Sequence, residues 1–250
     1  MVERRRGAIR AAVVWDGLSA AVRSRSKVAG SARQLHIVDL GGGTGGMAVR
    51  MAEQGHRITV VDPSPDALAA LQRRACEAGV TATVRGVLGD AANLLDAVAP
   101  ACADVVVCHG VLEVVDETTQ ALHGMATVLM SGGYLSLVAP QWSAAVLAHV
   151  LAGHLADAHT LLIGSDQGSD NSGAVPRRFS RRDLESLVVA AGLNVVDVHG
   201  IGVFTDYISS GVADSVLEAA EDLQALEFAA STHPDFMSVA TQLHVLAVRS

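Results

Sequence analysis

A run of glycines between an apolar segment and a helix-forming segment contains the residues best suited to chemistry. The apolar segment is 36–40 (HIVDL), with the acidic Asp39 near its end, and 47–52 (MAVRMA) follows the glycines. Glycine permits a tight turn and lets a ligand approach bare backbone. The N-terminus of the next helix offers free N–H groups and a positive dipole end to an anionic group. This arrangement predicts a loop that binds a nucleotide-type cofactor.

The glycine spacing fits two patterns. Three residues fit the dinucleotide pattern G-x-G-x-x-G, namely Gly41, Gly43 and Gly46. Asp62, 21 residues after Gly41, occupies the position of a ribose-binding acid, so NAD remains possible on spacing alone. Four residues fit D-x-G-x-G-x-G instead, namely Asp39, Gly41, Gly43 and Gly45. A carboxylate repels a pyrophosphate and attracts an ammonium, so Asp39 favours a nucleoside cofactor with an amino-acid part.

Histidines outside this loop suggest other chemistry. His109 follows Cys108, but adjacent strand residues point to opposite faces, so we expect no Cys–His catalytic pair. A second group is spaced by five residues in 141–163 and consists of His149, His154 and His159, with Asp157 nearby. On one continuous helix this spacing scatters the side chains around the surface. We therefore expect structural histidines there and no metal site.

Basic residues cluster in two places. Seven lie within the first 27 residues: Arg4, Arg5, Arg6, Arg10, Arg23, Arg25 and Lys27. Four more are Arg177, Arg178, Arg181 and Arg182. We expect both clusters at the ligand face of the sheet, where they would attract an anionic acceptor or a polyanion such as tRNA. A solvated helix start is the alternative interpretation of the second cluster.

The chain has 250 residues and a mass of 25.8 kDa. This size is typical of one α/β domain with a complete hydrophobic core. No apolar run approaches the ~20 residues that span a bilayer, and no signal peptide is evident. Three cysteines without a pairing pattern favour the cytoplasm. The net charge of −8 and the aromatic content of 3% both argue weakly against nucleic acid.

Strand and helix patterns alternate, which predicts a parallel sheet covered on both faces. The predicted strands are 35–40, 57–62, 82–87, 104–109, 133–139, 194–203 and 240–249. The predicted helices are 2–25, 45–54, 65–79, 91–98, 117–130, 141–163, 180–191 and 208–230. Residues 1–250 are expected to form one domain with three additions. These are a basic N-terminal helix (1–27), a helical insertion at 141–179 with a mobile loop at 164–176, and a second helical insertion at 204–239.

Three features resemble the class I, seven-stranded S-adenosylmethionine-dependent methyltransferases. They are the D-x-G-x-G-x-G run from Asp39, the pair Gly89-Asp90 after the third strand, and the turn at 131–134 (SGGY) into the fifth. The resemblance implies a doubly wound, Rossmann-like sheet of seven strands, with helices on both faces. It also implies mostly parallel strands with an antiparallel last strand, and S-adenosyl-L-methionine as the cofactor.

Four segments resemble a narrower group, the tRNA 5-carboxymethoxyuridine methyltransferases, which esterify the carboxylate of a wobble uridine. They are 7–10 (GAIR), 108–115 (CHGVLEVV), 202–207 (GVFTDY) and 242–247 (QLHVLA). The resemblance implies cofactor contacts for Arg10, Asp39, Gly41, Gly42, Gly43, Gly45, Asp62, Pro63, Leu88, Gly89, Asp90 and His109. Within that set, Arg10 and the glycines would contact the methionine part, Asp62 the ribose, and residues 88–90 the adenine. His109 and Tyr207 are the candidate catalytic residues, and the second arginine cluster is the candidate RNA contact.

Three functions follow as hypotheses. The first is O-methylation of the carboxylate of 5-carboxymethoxyuridine in tRNA. The second is methylation of a small-molecule acceptor, with residues 141–176 as a lid. The third is a cofactor-binding scaffold without catalysis.

Overall fold

The computed structural model describes residues 2–30, 33–164, 177–208 and 220–250, and a seven-stranded sheet forms its centre. The strands are β1 (His36–Leu40), β2 (Arg57–Asp62), β3 (Val84–Leu88), β4 (Ala103–His109), β5 (Leu129–Pro140), β6 (Leu193–Ile201) and β7 (Gln242–Arg249). Their order is β3-β2-β1-β4-β5-β7-β6, and β7 runs antiparallel to both neighbours. The predicted sheet, mostly parallel with an antiparallel last strand, is confirmed.

The central strands are buried on both faces, which explains their continuous apolar sequences. The last four residues of β1 are buried, as are the first six of β4. A parallel strand between two helical layers requires such a run. The carboxyl ends of β1, β2, β3 and β4 lie at one edge of the sheet, because these strands are parallel neighbours. The loops that follow them therefore converge there.

Helices cover both faces of the sheet, as expected. They are α1 (Val2–Ala29), α2 (Gly46–Glu53), α3 (Pro65–Glu77), α4 (Leu94–Ala97), α5 (Thr118–Val128), α6 (Trp142–Leu151), α7 (Leu155–Ile163), α8 (Arg181–Ala190), α9 (Ala220–Ser231) and α10 (Pro234–Met237), with a 3-10 turn at Leu112–Val114. Apolar residues of α1, α2 and α3 pack on one face, and those of α4, α5 and α8 on the other. None of the helices in the described ranges combines the length and apolar character that crossing a bilayer requires.

Several predicted boundaries are wrong. The helix expected at 91–98 is only α4, because the Asp90 carboxylate accepts the backbone N–H of Asn93 at 2.9 Å and holds the preceding residues in a turn. The fifth strand begins at Leu129 rather than 133, with an irregular register opposite β4. The helix expected at 141–163 is two helices, since the chain turns at Gly153, whose φ of 78° is left-handed.

One prediction falls almost wholly, and another partly, outside the described residues. Of the expected mobile loop at 164–176, only Gly164 lies inside them. Of the expected helix at 208–230, residues 209–219 lie outside them, and the described part contains α9.

The long helix α1 crosses the sheet from one edge to the other. Its predicted apolar side is buried, namely Ile9, Val13, Leu18 and Val22. Near its C-terminus, Arg25 Nε donates to Asp104 Oδ1 at 2.9 Å, at the start of β4. The other oxygen of Asp104 accepts from the backbone N–H of His36 at 3.0 Å and from Arg33 at 3.2 Å. Arg25 therefore lies at the amino edge of the sheet, so its expected place at the ligand face is wrong.

We predict that Arg25→Ala lowers the free energy of unfolding by about 3 kcal/mol, because it leaves the fully buried Asp104 carboxylate with weaker partners. Urea unfolding of the purified variant measures this loss. Arg23→Ala, an exposed arginine of the same helix, serves as the control and should change little. Equal stability of the two variants would contradict the importance of the buried ion pair.

Candidate functional site

The glycine loop joins β1 to α2 and has the bare backbone that the sequence predicted. Gly41 and Gly45 have φ angles of 69° and 77°, which favour glycine. A Cβ atom at Gly41 would lie 2.2 Å from Val111 Cγ2, and one at Gly45 would lie 2.0 Å from Leu71 Cδ1. Side chains thus pack directly on the loop backbone. At Gly43, by contrast, a Cβ would have no neighbour closer than 3.9 Å, so the backbone there is accessible.

Asp39 lies beneath this loop, near the end of β1. It is 5% exposed, and a Cβ built on Gly42 would lie 2.4 Å from its Oδ2 atom. That oxygen is buried and accepts no hydrogen bond within the described part of the chain. Burial, together with the nearby Asp62 charge, raises the pKa of Asp39 to about 7. The site therefore contains a buried carboxylate without a cationic partner.

Asp62, at the end of β2, connects the glycine loop to the turn before α3. Its Oδ2 accepts the N–H of Gly43 and its Oδ1 accepts the N–H of Ser64, each at 2.9 Å. Ser64 also caps α3, since its hydroxyl accepts the N–H of Ala67 at 3.2 Å. Pro63 is exposed beside this turn. Asp62 thus holds the accessible part of the loop in place.

The end of β3 provides an apolar surface on the same edge. Leu88 is 62% exposed, an unusual exposure for a leucine at a strand end. Gly89 donates to the carbonyl of Asp62 at 3.3 Å, and the carboxylate of the exposed Asp90 caps the following turn. These contacts bring residues 88–90 next to Asp62.

His109 ends β4 and belongs to a buried polar chain that the sequence analysis missed. Its Nε2 lies 2.8 Å from Ser136 Oγ on β5, and the same hydroxyl lies 2.8 Å from Nε2 of His244 on β7. The ring of His244 lies 5.6 Å from that of His199 on β6. Burial lowers the pKa of His109 to about 4, so its ring is neutral at pH 7. The available sequence signal for this chain was the presence of the polar residues Ser136 and His244 within the apolar strands β5 and β7.

Gly17 of α1 provides the space for these rings. A Cβ there would lie 3.0 Å from Cε1 of His244 and 3.2 Å from Cε1 of His199. The Nδ1 atoms of His244 and His199 are buried and make no hydrogen bond within the described residues. Burial and the two neighbouring histidines lower the pKa of His244 well below its ordinary value. His109 and His244 are therefore neutral imidazoles at neutral pH.

Tyr207 follows β6, and Arg10 of α1 reaches the same segment through its contact with Asp206. Arg10 Nη1 contacts the two carboxylate oxygens of Asp206 at 3.1 and 3.2 Å, and its Nη2 contacts Glu3 at 3.0 Å. The Tyr207 hydroxyl donates to the carbonyl of Val239 at 2.6 Å. Burial and then the charge of Asp206 raise the pKa of Tyr207. Both candidates thus already have protein partners.

The second arginine cluster divides into two kinds of residue. Arg177 donates to the carbonyls of Val115 and Asp116 at 2.9 and 2.7 Å, and Arg181 pairs with Glu185 at 2.7 Å. These two side chains support the local fold. Arg178 is half-buried and Arg182 is exposed, and neither makes an ion pair within the described ranges. The arginines that remain available to a ligand are therefore Arg178 and Arg182.

Comparison with known proteins agrees with this geometry. Residues 38–137 match the family model described as a methyltransferase domain, from β1 to β5. Together with the seven-stranded fold and the glycine loop, this match identifies that stretch as a class I, S-adenosylmethionine-dependent methyltransferase domain.

Two curated relatives and one solved structure show the range of similar proteins. The tRNA 5-carboxymethoxyuridine methyltransferase of Escherichia coli K12 is 29% identical over 136 residues, which cover 53% of this chain and 49% of that protein. This chain thus aligns with about half the length of that relative. The ubiquinone biosynthesis O-methyltransferase of Burkholderia thailandensis is 29% identical over 168 residues, 66% of this chain and 67% of that protein.

The solved structure shares the fold at low sequence identity. Geranyl diphosphate C-methyltransferase from Streptomyces coelicolor A3(2), in complex with Mg²⁺, geranyl diphosphate and S-adenosyl-L-homocysteine, superposes with a TM-score of 0.56. The two chains are 15% identical, and the superposition covers 87% of this chain and 73% of the other. This likeness supports the assignment of the fold.

We predict that Asp39→Asn stabilises the ligand-free protein at high pH. The pKa of Asp39 is raised to about 7, so the ionised carboxylate opposes folding. The gain from the substitution should grow by at most about 1.4 kcal/mol per pH unit between pH 5 and 7 and then level off. It should vanish below the unfolded-state pKa of about 4. Urea unfolding from pH 5 to 8 measures it, with the exposed Asp96→Asn as control; a pH-independent difference would contradict the raised pKa.

Proposed function

We propose that this protein is an active methyltransferase that binds S-adenosyl-L-methionine at the carboxyl edge of β1–β4. The observation on which the proposal depends is the Asp39 carboxylate beneath Gly42, whose buried Oδ2 accepts no hydrogen bond from the described residues. A buried carboxylate is stable only when a cation or hydrogen-bond donors satisfy it. The ammonium of the cofactor is such a cation, whereas a pyrophosphate would be repelled.

The remaining parts of the cofactor fit the neighbouring residues. Arg10 and the backbone of residues 41–45 would hold the methionine part, with Arg10 sharing its guanidinium between the cofactor carboxylate and Asp206. Asp62 and Pro63 would lie at the ribose, and the exposed Leu88 with Gly89 and Asp90 at the adenine. These roles rest on the positions of the residues along one edge of the sheet and on the resemblance described above.

The acceptor that we propose is the carboxylate of 5-carboxymethoxyuridine at the wobble position of tRNA, in the cytoplasm. The cofactor supplies a methyl group already activated by a sulfonium, and an ionised carboxylate needs no general base. The protein must therefore align the acceptor and exclude water. His109, neutral and held by Ser136, would lie beside the reacting groups, with Tyr207 on the acceptor side. The similarity to the E. coli enzyme and the available Arg178 and Arg182 support this acceptor.

A small-molecule hydroxyl is the second candidate acceptor. The ubiquinone biosynthesis enzyme aligns with a larger share of this chain than the tRNA enzyme does. A hydroxyl must lose its proton during transfer, and His109, hydrogen-bonded to Ser136, would have to accept it against a pKa that burial lowers to about 4. A cofactor-binding scaffold is the third hypothesis, and it predicts binding without transfer.

Transfer of a labelled methyl group from the cofactor to bulk tRNA separates these candidates. We expect label in tRNA that mild alkali releases, because a methyl ester hydrolyses there whereas a methyl ether does not. Label found only on small molecules of a cell extract would favour the second candidate. Cofactor binding with no transfer to either would favour the scaffold.

The double variant Arg178→Ala/Arg182→Ala tests the proposed RNA contact. We expect KM for tRNA to rise about tenfold with little change in kcat, and the salt dependence of binding to weaken. The control removes two other exposed arginines, Arg73 and Arg85, by the same substitution. An equal effect of both double variants would indicate a general charge effect and contradict a specific contact.

Cofactor binding should depend on pH through Asp39. Since its pKa is about 7 in the ligand-free protein, Asp39 must release a proton before it pairs with an ammonium. We expect Kd for S-adenosylmethionine to fall by up to about tenfold per pH unit between pH 5 and 7. Calorimetry with wild type, Asp39→Asn and the control Asp96→Asn measures this. Asp39→Asn should bind more weakly and lose the pH dependence; unchanged binding would overturn the role of Asp39.

A further inference from the structure

Three side chains suited to metal binding meet at the turn between α6 and α7, in the insertion that follows β5. They are His149, His154 and Asp157, and one ligand atom from each lies within 4.8 Å of the other two. His149 Nδ1 lies 3.9 Å from Asp157 Oδ2, and the two imidazole rings are 6.0 Å apart with a tilt of 50°. These residues lie outside the proposed cofactor site.

The backbone explains why the two histidines converge. The N–H of His154 donates to the carbonyl of His149 at 2.9 Å, and the N–H of Gly153 donates to that of Val150 at 3.0 Å. With Gly153 in the left-handed conformation, these bonds form a Schellman motif. In this motif the side chains of the first and last residues normally make an apolar contact. Here both positions are histidine.

Asp157 completes the set from the first turn of α7. It is the third residue of that helix, and His154 occupies the N-cap position without a side-chain capping bond. Side chains at the third position point back toward the N-cap. The carboxylate therefore approaches the histidine pair through local geometry that the Gly153 turn establishes.

The polar atoms of this cluster are incompletely satisfied. His149 Nδ1 is buried and makes no hydrogen bond within the described residues, and its nearest carboxylate oxygen is beyond hydrogen-bond distance. His154 and Asp157 are exposed, so an ion has access from solvent. At the other end of the hairpin, Trp142 Nε1 donates to the carbonyl of Leu161 at 3.2 Å and holds α6 against α7.

We propose that His149, His154 and Asp157 bind a divalent first-row transition metal such as zinc. Two imidazole nitrogens and one carboxylate oxygen suit zinc, cobalt or nickel, whereas calcium and magnesium prefer oxygen ligands alone. Ligand atoms around tetrahedral zinc lie about 3.3 Å apart. Side-chain rotations therefore suffice to close the observed separations, and water would occupy the fourth position. The bound metal would hold the end of α6 against the start of α7.

Titration of the metal-free full-length protein with Co²⁺ and Zn²⁺ tests the proposal. All variants carry Cys76→Ser, because Cys76 is exposed and thiols are themselves zinc ligands. We expect one equivalent of Co²⁺ to bind with the visible spectrum of a four-coordinate site, and zinc to raise the thermal unfolding temperature. His154→Ala and Asp157→Asn change exposed residues whose side chains make no hydrogen bond with the described part of the chain, so both should fold.

The control is His159→Ala, which removes an exposed histidine of α7 outside the cluster. We expect His154→Ala and Asp157→Asn to weaken binding by at least about tenfold, since the loss of even an outer-sphere partner costs that much, and the control to bind normally. Absence of binding in the parent protein would overturn the proposal. So would binding by Asp157→Asn as tight as that of the parent.

Discussion

The structure of the candidate site depends on one constraint, the close packing of side chains on a bare glycine backbone. Val111 and Leu71 occupy the space where Cβ atoms of Gly41 and Gly45 would be, and Asp39 fills the space beneath Gly42. The loop is thus held from three directions, with its accessible surface at Gly43. A larger residue at Gly41 or Gly45 would have to displace Val111 or Leu71.

The two acidic residues near this loop illustrate how position determines the behaviour of a carboxylate. Asp62 accepts two backbone N–H groups and serves the fold before any ligand binds. Asp39, on the neighbouring strand β1, has a buried oxygen that accepts no hydrogen bond from the described residues, and its pKa is raised to about 7. Asp62 therefore supports the structure of the loop, whereas Asp39 is a buried acid whose negative charge a positively charged ligand group would neutralise.

The helix α1 and the polar chain from His109 connect the cofactor edge to the rest of the sheet. Arg10 near one end of α1 pairs with Asp206, and Arg25 near the other end pairs with the buried Asp104. Between them, Gly17 leaves room for His244 and His199. His244 on β7 thus shares the Ser136 hydroxyl with His109, although β6 and β7 lie on the far side of the sheet from the glycine loop.

The sequence by itself determined the class of fold, the strands and the cofactor loop, because these depend on local patterns: apolar runs, glycine spacing and the acids at strand ends. It did not reveal that Ser136, His199 and His244 belong beside His109, because only the strand order brings them together. It also placed Arg25 at the wrong edge, because the local sequence does not indicate to which edge of the sheet the C-terminus of a 28-residue helix extends. For His149, His154 and Asp157, the wrong step was to treat 141–163 as one helix. The signal was Gly153. On one helix the five-residue spacing would separate these side chains, but the left-handed turn at Gly153 brings them close together.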